Sequence, residues 1–245
     1  MRFIALFVLF AFLSFLPALA APEEPQIVRS LLKQGTLTVK EKRDLGSGIV
    51  EYVLENKAKA YSPKKYVVVY ATEDGKYVMM GALIDGNTGE NLTKIRYREL
   101  TRVDVGSLPL EDALKFTYGK GGRKLIMFSD PDCPFCRRAH AWLRGQNVEL
   151  YVFMYPLPIH PEAYDKSVTI LCSSDRKGEY DKALSGKKIE IKKCKEGETL
   201  VKKHMLTGQL VGVEGTPLFI TEEGYRIEGA NLKELSDYLG KGGEK

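Results

Sequence analysis

The stretch that decides the fold is Lys124-Leu125-Ile126-Met127-Phe128, followed by Ser129-Asp130-Pro131-Asp132-Cys133-Pro134-Phe135-Cys136. A short apolar run bounded by turn residues reads as a buried strand, and the sequence from Cys136 to Leu143 suits a helix that Gly145 stops. A second strand follows over 149–155. Strand, helix and strand within about 30 residues form a βαβ unit, which puts both cysteines at the head of its helix. Pro134, just inside that helix, lacks an N–H where none is needed and presets the backbone angle. The Cys-x-x-Cys spacing lets two sulfurs close a tight ring, so Cys133 and Cys136 read as a thiol-disulfide redox site. Unpaired N–H groups at the helix head favour a thiolate at Cys133, below the ordinary thiol value of about 8.5. Zinc would need further ligands; there is no second Cys-x-x-Cys, and His140, His160 and His204 form no pair, so no metal is called for. No organic cofactor is called for either, because the electrons travel through the cysteines. His140, four residues after Cys136, is expected to be an exposed bystander, and Trp142 to pack in the buried stripe with Ala139 and Leu143.

Downstream, helical patterns over 162–171 and 199–210 lead to Thr216-Pro217, a strand over 218–221, a turn at 222–224, a strand over 225–228 and a last helix over 232–239. Upstream, Leu108, Leu110, Ala113, Leu114 and Phe116 are expected as the apolar stripe of a linker helix that Gly119-Lys120-Gly121-Gly122 closes. Before the turn chemistry of Asp85-Gly86-Asn87-Thr88-Gly89, strand-like segments over 36–42, 49–54, 66–71 and 76–84 read as a small antiparallel sheet. A short amphipathic helix over 26–33, with Ile27, Val28, Leu31 and Leu32 on one face, opens it. A unit of about 60 residues buries its surface poorly and is expected to share its core with a partner. The expected division is thus 21–88, a linker with a helix over 89–122, and a second domain over 123–245. The sequon Asn91-Leu92-Thr93 is read as incidental.

The 245 residues are 44% hydrophobic and 28% charged, with 23 Gly and 11 Pro, which excludes disordered, collagenous and coiled-coil classes. The charge of +5 is too weak and too evenly spread to argue for nucleic acid, and Lys192, Lys193 and Lys195 read as a solvated face. Arg2 precedes an uncharged stretch over 3–22 whose apolar part, 3–16, ends in Pro17-Ala18-Leu19-Ala20. This is the pattern of an export signal over 1–20, cleaved before Ala21, and it is too short for a membrane anchor. Export puts the four cysteines where disulfides form and persist.

Together, the segment 128–136, the Gly215-Thr216-Pro217 stretch and a second cysteine pair at 172 and 194 resemble the bacterial periplasmic disulfide isomerases of the DsbC/DsbG type. Thr72-Glu73-Asp74-Gly75-Lys76 and Asn91-Leu92-Thr93 resemble that family's N-terminal domain and its exit, so the resemblance spans the mature chain. It implies an α+β architecture: a small cystatin-like N-terminal dimerisation domain, a linker helix, and a C-terminal thioredoxin-fold domain with a helical insertion. It also implies a periplasmic homodimer whose two sites face an apolar cleft holding unfolded or misoxidised protein substrates, recharged by a membrane-bound thiol reductant. Two departures stand out. Pro134-Phe135 is closer to the Pro-Tyr of the DsbG branch, and Arg137 stands where a His commonly follows the second cysteine.

The expected chemistry is isomerisation or reduction of non-native disulfides, with Cys133 attacking and Cys136 resolving. The alternatives are a reductase of sulfenylated cysteines, a donor oxidase, and a non-enzymatic dimeric holdase chaperone. Thr216 and Pro217 are expected at the site, joined by a cis peptide bond beside Cys133, with the Thr216 backbone pairing an extended substrate strand. Glu214 is expected as a solvated loop carboxylate, or else as a neighbour that raises the Cys133 pKa. In an exported protein Cys172 and Cys194 are expected to form a structural disulfide.

Overall fold

A computed structural model describes residues 24–33, 35–59 and 62–240. The export signal read at 1–20 lies outside these residues, and no helix among them is long and apolar enough to cross a membrane. The first sheet is built from β1 (Leu37–Asp44), β2 (Ile49–Asn56), β3 (Tyr66–Thr72) and the short β4 (Val78–Met79), all antiparallel and in sequence order. Because side chains alternate along a strand, β2 and β3 present two different faces. Val50, Tyr52, Leu54, Val69 and Ala71 pack under α1 (Gln26–Lys33), whose Val28 is fully buried among them.

The opposite face is covered by α2 (Leu92–Leu100). Asn91 caps this helix, its side chain accepting from the Lys94 N–H at 2.8 Å. Thr93 and the Tyr70 hydroxyl share a buried 2.7 Å hydrogen bond, and Tyr97 accepts from the Val68 N–H at 3.1 Å. Arg96 lies 3.0 Å from Glu51, an inward-facing carboxylate only 2% exposed, and also pairs with Glu41 and Glu99. The sequon read as incidental is thus a cap plus a buried anchor, and both faces of the small sheet are closed within one chain.

The second sheet has the order β5-β7-β6-β8-β9, from β5 (Leu114–Tyr118), β6 (Arg123–Ser129), β7 (Val148–Met154), β8 (Leu218–Thr221) and β9 (Arg226–Glu228). Only β6 and β7 are parallel, joined by α3 (Pro134–Leu143). One face of the sheet packs Leu125, Met127, Leu150, Val152 and Phe219 against α3, α4 (Ala163–Cys172), α5 (Arg176–Leu184) and α7 (Leu232–Gly240). The other face packs Ile126, Phe128, Phe153 and Ile220 against Leu108 and Val213. Burial on both faces is why β6 reads as an unbroken apolar run. α6 (Lys195–Leu210) runs beside α4, and its fully buried His204 accepts from the Met154 N–H at 3.0 Å.

Two expectations change. The stripe through Leu114 and Phe116 belongs to a strand: Leu114 and Phe116 are buried while Lys115 and Thr117 are exposed, a period of two rather than 3.6. The sheet of the second unit therefore starts at Leu114 rather than after 122, and the linker's helix is Leu92–Leu100. Between the helical patterns read over 162–171 and 199–210 the chain forms a further helix, α5, for which no pattern was read. Asp175 caps α5 by accepting from the Gly178 N–H at 2.9 Å, and Tyr180, Ala183 and Leu184 are buried.

Candidate active site

β6 delivers the chain into the turn 130–132, and Cys133 occupies the cap position of α3, with Pro134 as its first residue. Both cysteines are free thiols, Cys133 3% exposed and Cys136 fully buried. The Cys133 thiol lies 3.2 Å from the Thr216 carbonyl oxygen, so the loop before β8 touches the sulfur; the Thr216-Pro217 bond is cis. Hydrogen bonding from the Cys136 thiol, then from the Cys136 and Phe135 amides and Thr216, pulls the Cys133 pKa down to about 5 against the opposing effect of burial. Burial pushes Cys136 strongly upward, as does the neighbouring Cys133. Two thiols three residues apart are thereby polarised into a ready thiolate and a held proton.

Asp130 organises the turn and was not singled out by the sequence. Its backbone carbonyl accepts from the Cys133 N–H at 3.2 Å, and its own N–H points at the Cys136 sulfur at 3.5 Å. Its carboxylate is fully buried; Oδ1 accepts from the Asp132 N–H at 2.7 Å, and Oδ2 accepts from the Leu157 N–H at 2.7 Å. His160 Nδ1 lies 2.8 Å from the same Oδ2. Asp132 in turn takes Lys166 at 2.7 Å and Arg137 at 3.4 Å. The only sequence signal for this network was an acidic residue on each side of Pro131, which also suits an ordinary turn.

His140 is not an exposed bystander: it is 3% exposed, 2.7 Å from the Asp181 carboxylate, and ringed by Phe116, Tyr118 and Tyr180. Burial lowers its pKa. Trp142 packs against the core as expected. Glu214 accepts from the Ser62 hydroxyl at 2.6 Å and from Lys64 at 2.6 Å, joining the first unit to the loop before β8. Far from the thiols in sequence, Cys172 and Cys194 are joined by a 2.06 Å S–S bond that ties the end of α4 to the cap of α6.

Residues 110–242 match the thioredoxin-like domain family, and residues 18–94 match the disulfide bond isomerase protein N-terminal domain family. The "Probable thiol:disulfide interchange protein DsbC" of Bordetella parapertussis is 32% identical over 165 residues, an alignment covering 66% of this chain and 58% of that protein. The thiol:disulfide interchange protein DsbC of Dickeya dadantii is 29% identical over 169 residues, covering 66% of this chain and 67% of its own. Among solved structures, a disulfide interchange protein from Neisseria gonorrhoeae is 29% identical and superposes over 56% of this chain and 100% of its own, with a TM-score of 0.50. The chain thus spans 58% of the length of the Bordetella relative.

Proposed function

Because the chain belongs to the thioredoxin-like domain family, with a disulfide bond isomerase N-terminal domain ahead of it, we propose that it is an exported thiol-disulfide oxidoreductase that isomerises or reduces non-native disulfides in protein substrates. The observation that carries this reading is the opposite polarisation of the two thiols. Cys133 is drawn down to about 5 at a helix head, while Cys136, fully buried behind it, is pushed upward. A thiolate, not a thiol, attacks a disulfide.

In this mechanism the Cys133 thiolate attacks one sulfur of a substrate disulfide. A bond forms between Cys133 and the substrate as the substrate's S–S bond breaks, and the expelled thiolate takes a proton from water. Two exits follow. Another substrate thiolate attacks the mixed disulfide, which rearranges the substrate and returns both enzyme thiols without net electron transfer. Alternatively, Cys136 loses its proton and attacks the Cys133 sulfur, so the substrate leaves reduced by two electrons and the enzyme keeps a Cys133–Cys136 disulfide. The second exit needs an external thiol reductant to restore the dithiol.

Thr216 and Pro217 form the substrate-binding edge in this reading, supported by the 3.2 Å contact between the Thr216 carbonyl and the Cys133 sulfur. Phe135 and Ile159, 54% and 77% exposed, supply apolar surface near the thiols on α3 and on the loop after β7. The dimer belongs to the same proposal. Tyr77, Met79, Met80 and Ile84 are exposed along the β4 edge, an apolar strip suited to a second copy of the chain. The division into an N-terminal unit reaching through α2 and a catalytic unit from about residue 110 is supported by the two sheets and the two family matches. Insulin reduction and refolding of scrambled ribonuclease test the function. The wild type is expected to catalyse both and Cys133→Ala neither, whereas wild-type turnover no greater than that of Cys133→Ala, with binding of unfolded protein retained by both, leaves only a holdase.

A further inference from the structure

We propose that Asp130 and His160 form a charge-setting pair for the nucleophile: the buried carboxylate holds His160 as an imidazolium, and that cation favours the thiolate of Cys133. The inference rests on the functional reading above and gives it a positioning residue that lies outside the Cys-x-x-Cys segment.

The geometry begins with Asp130, whose side chain has no exposed surface. A carboxylate removed from water keeps its charge only if hydrogen bonds and a countercharge replace the lost hydration. The Asp132 and Leu157 amides supply two hydrogen bonds but no net charge. The two nearby cations, Lys166 and Arg137, are engaged with Asp132. His160, 2.8 Å from Oδ2 and 22% exposed, is therefore the countercharge to Asp130 among the described residues. Its backbone is fixed as well: its N–H donates to the Leu157 carbonyl at 3.0 Å, and its carbonyl accepts from the Ala163 N–H at 3.1 Å. One carboxylate thus joins the loop bearing the imidazole to the turn bearing Cys133, whose N–H its backbone carbonyl holds.

The hydrogen bond that His160 donates to the Asp130 carboxylate raises the His160 pKa against the opposing effect of burial, and the charges of Asp130, Cys133 and Asp132 raise it further. Linkage is reciprocal: if the thiolate favours the imidazolium, the imidazolium favours the thiolate by the same free energy. The charged groups around His160 are Asp130, Asp132 and Cys133 on the turn, Arg137 on α3, Glu162 beside it in sequence and Lys166 on α4. Arg137 and Lys166 largely offset Asp132, and Lys166 also pairs with Glu162. The sign follows. Where His160 is protonated it holds Cys133 in the thiolate form to lower pH, and this support fades as pH rises through the elevated His160 pKa.

The test uses the reduced full chain in three forms: wild type, His160→Gln and His160→Arg. Iodoacetamide labelling of Cys133 is followed by mass spectrometry from about pH 4 to about pH 9, with thiolate absorbance in parallel. His160→Gln is expected to move the Cys133 midpoint upward and to slow labelling near pH 5 at least about threefold, since a lost opposite charge shifts a neighbour's titration. His160→Arg, which keeps a cation without a titration, is expected to retain wild-type labelling at that pH. An unchanged Cys133 titration in His160→Gln overturns the inference, as does a His160→Arg protein that slows as much as the Gln variant, because shape rather than charge would then matter. Insulin reduction by the wild type is measured in the same samples. Absent turnover counts against the functional reading, while the titrations alone decide the charge-setting role.

Discussion

Cys133 and Cys136 share one helix turn, yet their protons are held in opposite ways, and the cause lies in backbone position rather than in residue type. Cys133 caps α3 and meets unpaired amides; Cys136 sits within the helix under the core. Alkylation of the reduced protein at about pH 6 is therefore expected to label Cys133 and spare Cys136; peptide mapping checks this, and first labelling at Cys136 reverses the roles. Stability follows the same sign. The folded Cys133 pKa of about 5 lies below the unfolded value, so the thiolate stabilises the reduced fold fully above the unfolded pKa of about 8.5 and loses that contribution as pH falls toward 5. Urea unfolding of the reduced wild type against Cys133→Ala is expected to show the wild type gaining stability between those limits, whereas a pH-independent difference means that Cys133 is not held as a thiolate. At this scale the spacing and the proline made legible the position of the two free thiols at the head of α3. The sequence hid Asp130 and His160, because their meeting depends on the loop after β7 folding back 30 residues along the chain.

Elements of the two units are held by two devices of different legibility. The Cys172–Cys194 disulfide closes a loop with a sequence separation of 22, which in the chain-entropy picture contributes about 3 kcal/mol. Replacing both cysteines by Ala is expected to lower unfolding stability by roughly that amount while leaving Cys133 labelling unchanged, as read by denaturant titration. The second device is Arg96 on α2, which faces the buried Glu51. Arg96→Met removes the nearer and more buried of the two arginines at that carboxylate, leaving Arg43 at 3.3 Å, and is expected to cost roughly 1 to 3 kcal/mol, seen as a lower urea midpoint. The buried strand β6, α3 and β8 were legible because their burial patterns are local. β5 was misread as helix because Leu108, Leu110, Leu114 and Phe116 satisfy a helical stripe if the turn at Val105–Ser107 and the exposed Lys115 and Thr117 are ignored. α5 was missed because Gly178 and its charged neighbours mask a helix that buries only Tyr180, Ala183 and Leu184. α2 was obscured for a different reason: its inward side is polar, built on Thr93, Arg96 and Tyr97, and carries almost no hydrophobic pattern.

At the scale of the whole molecule, the small sheet closes both of its faces with α1 and α2, so the proposed dimer is placed on the β4 edge rather than on an unfinished core. Full-length protein is expected to sediment as a dimer at micromolar concentration. A chain beginning near residue 110 is expected to be monomeric, competent in insulin reduction and poor in ribonuclease refolding; a monomeric full-length protein removes the shared cleft. Glu214, held by Ser62 and Lys64, joins the N-terminal unit to the loop that touches Cys133, so the two units meet close to the chemistry. All of this depends on Cys133 being the atom that exchanges with substrate. The most direct measurement is to incubate the Cys136→Ala protein with a disulfide-bonded substrate, quench with acid and map the covalent adducts by mass spectrometry. A mixed disulfide between Cys133 and a substrate cysteine is expected to accumulate because no second thiol resolves it; substrate consumed with no adduct on Cys133, or an adduct formed equally by Cys133→Ala, takes the exchange away from Cys133.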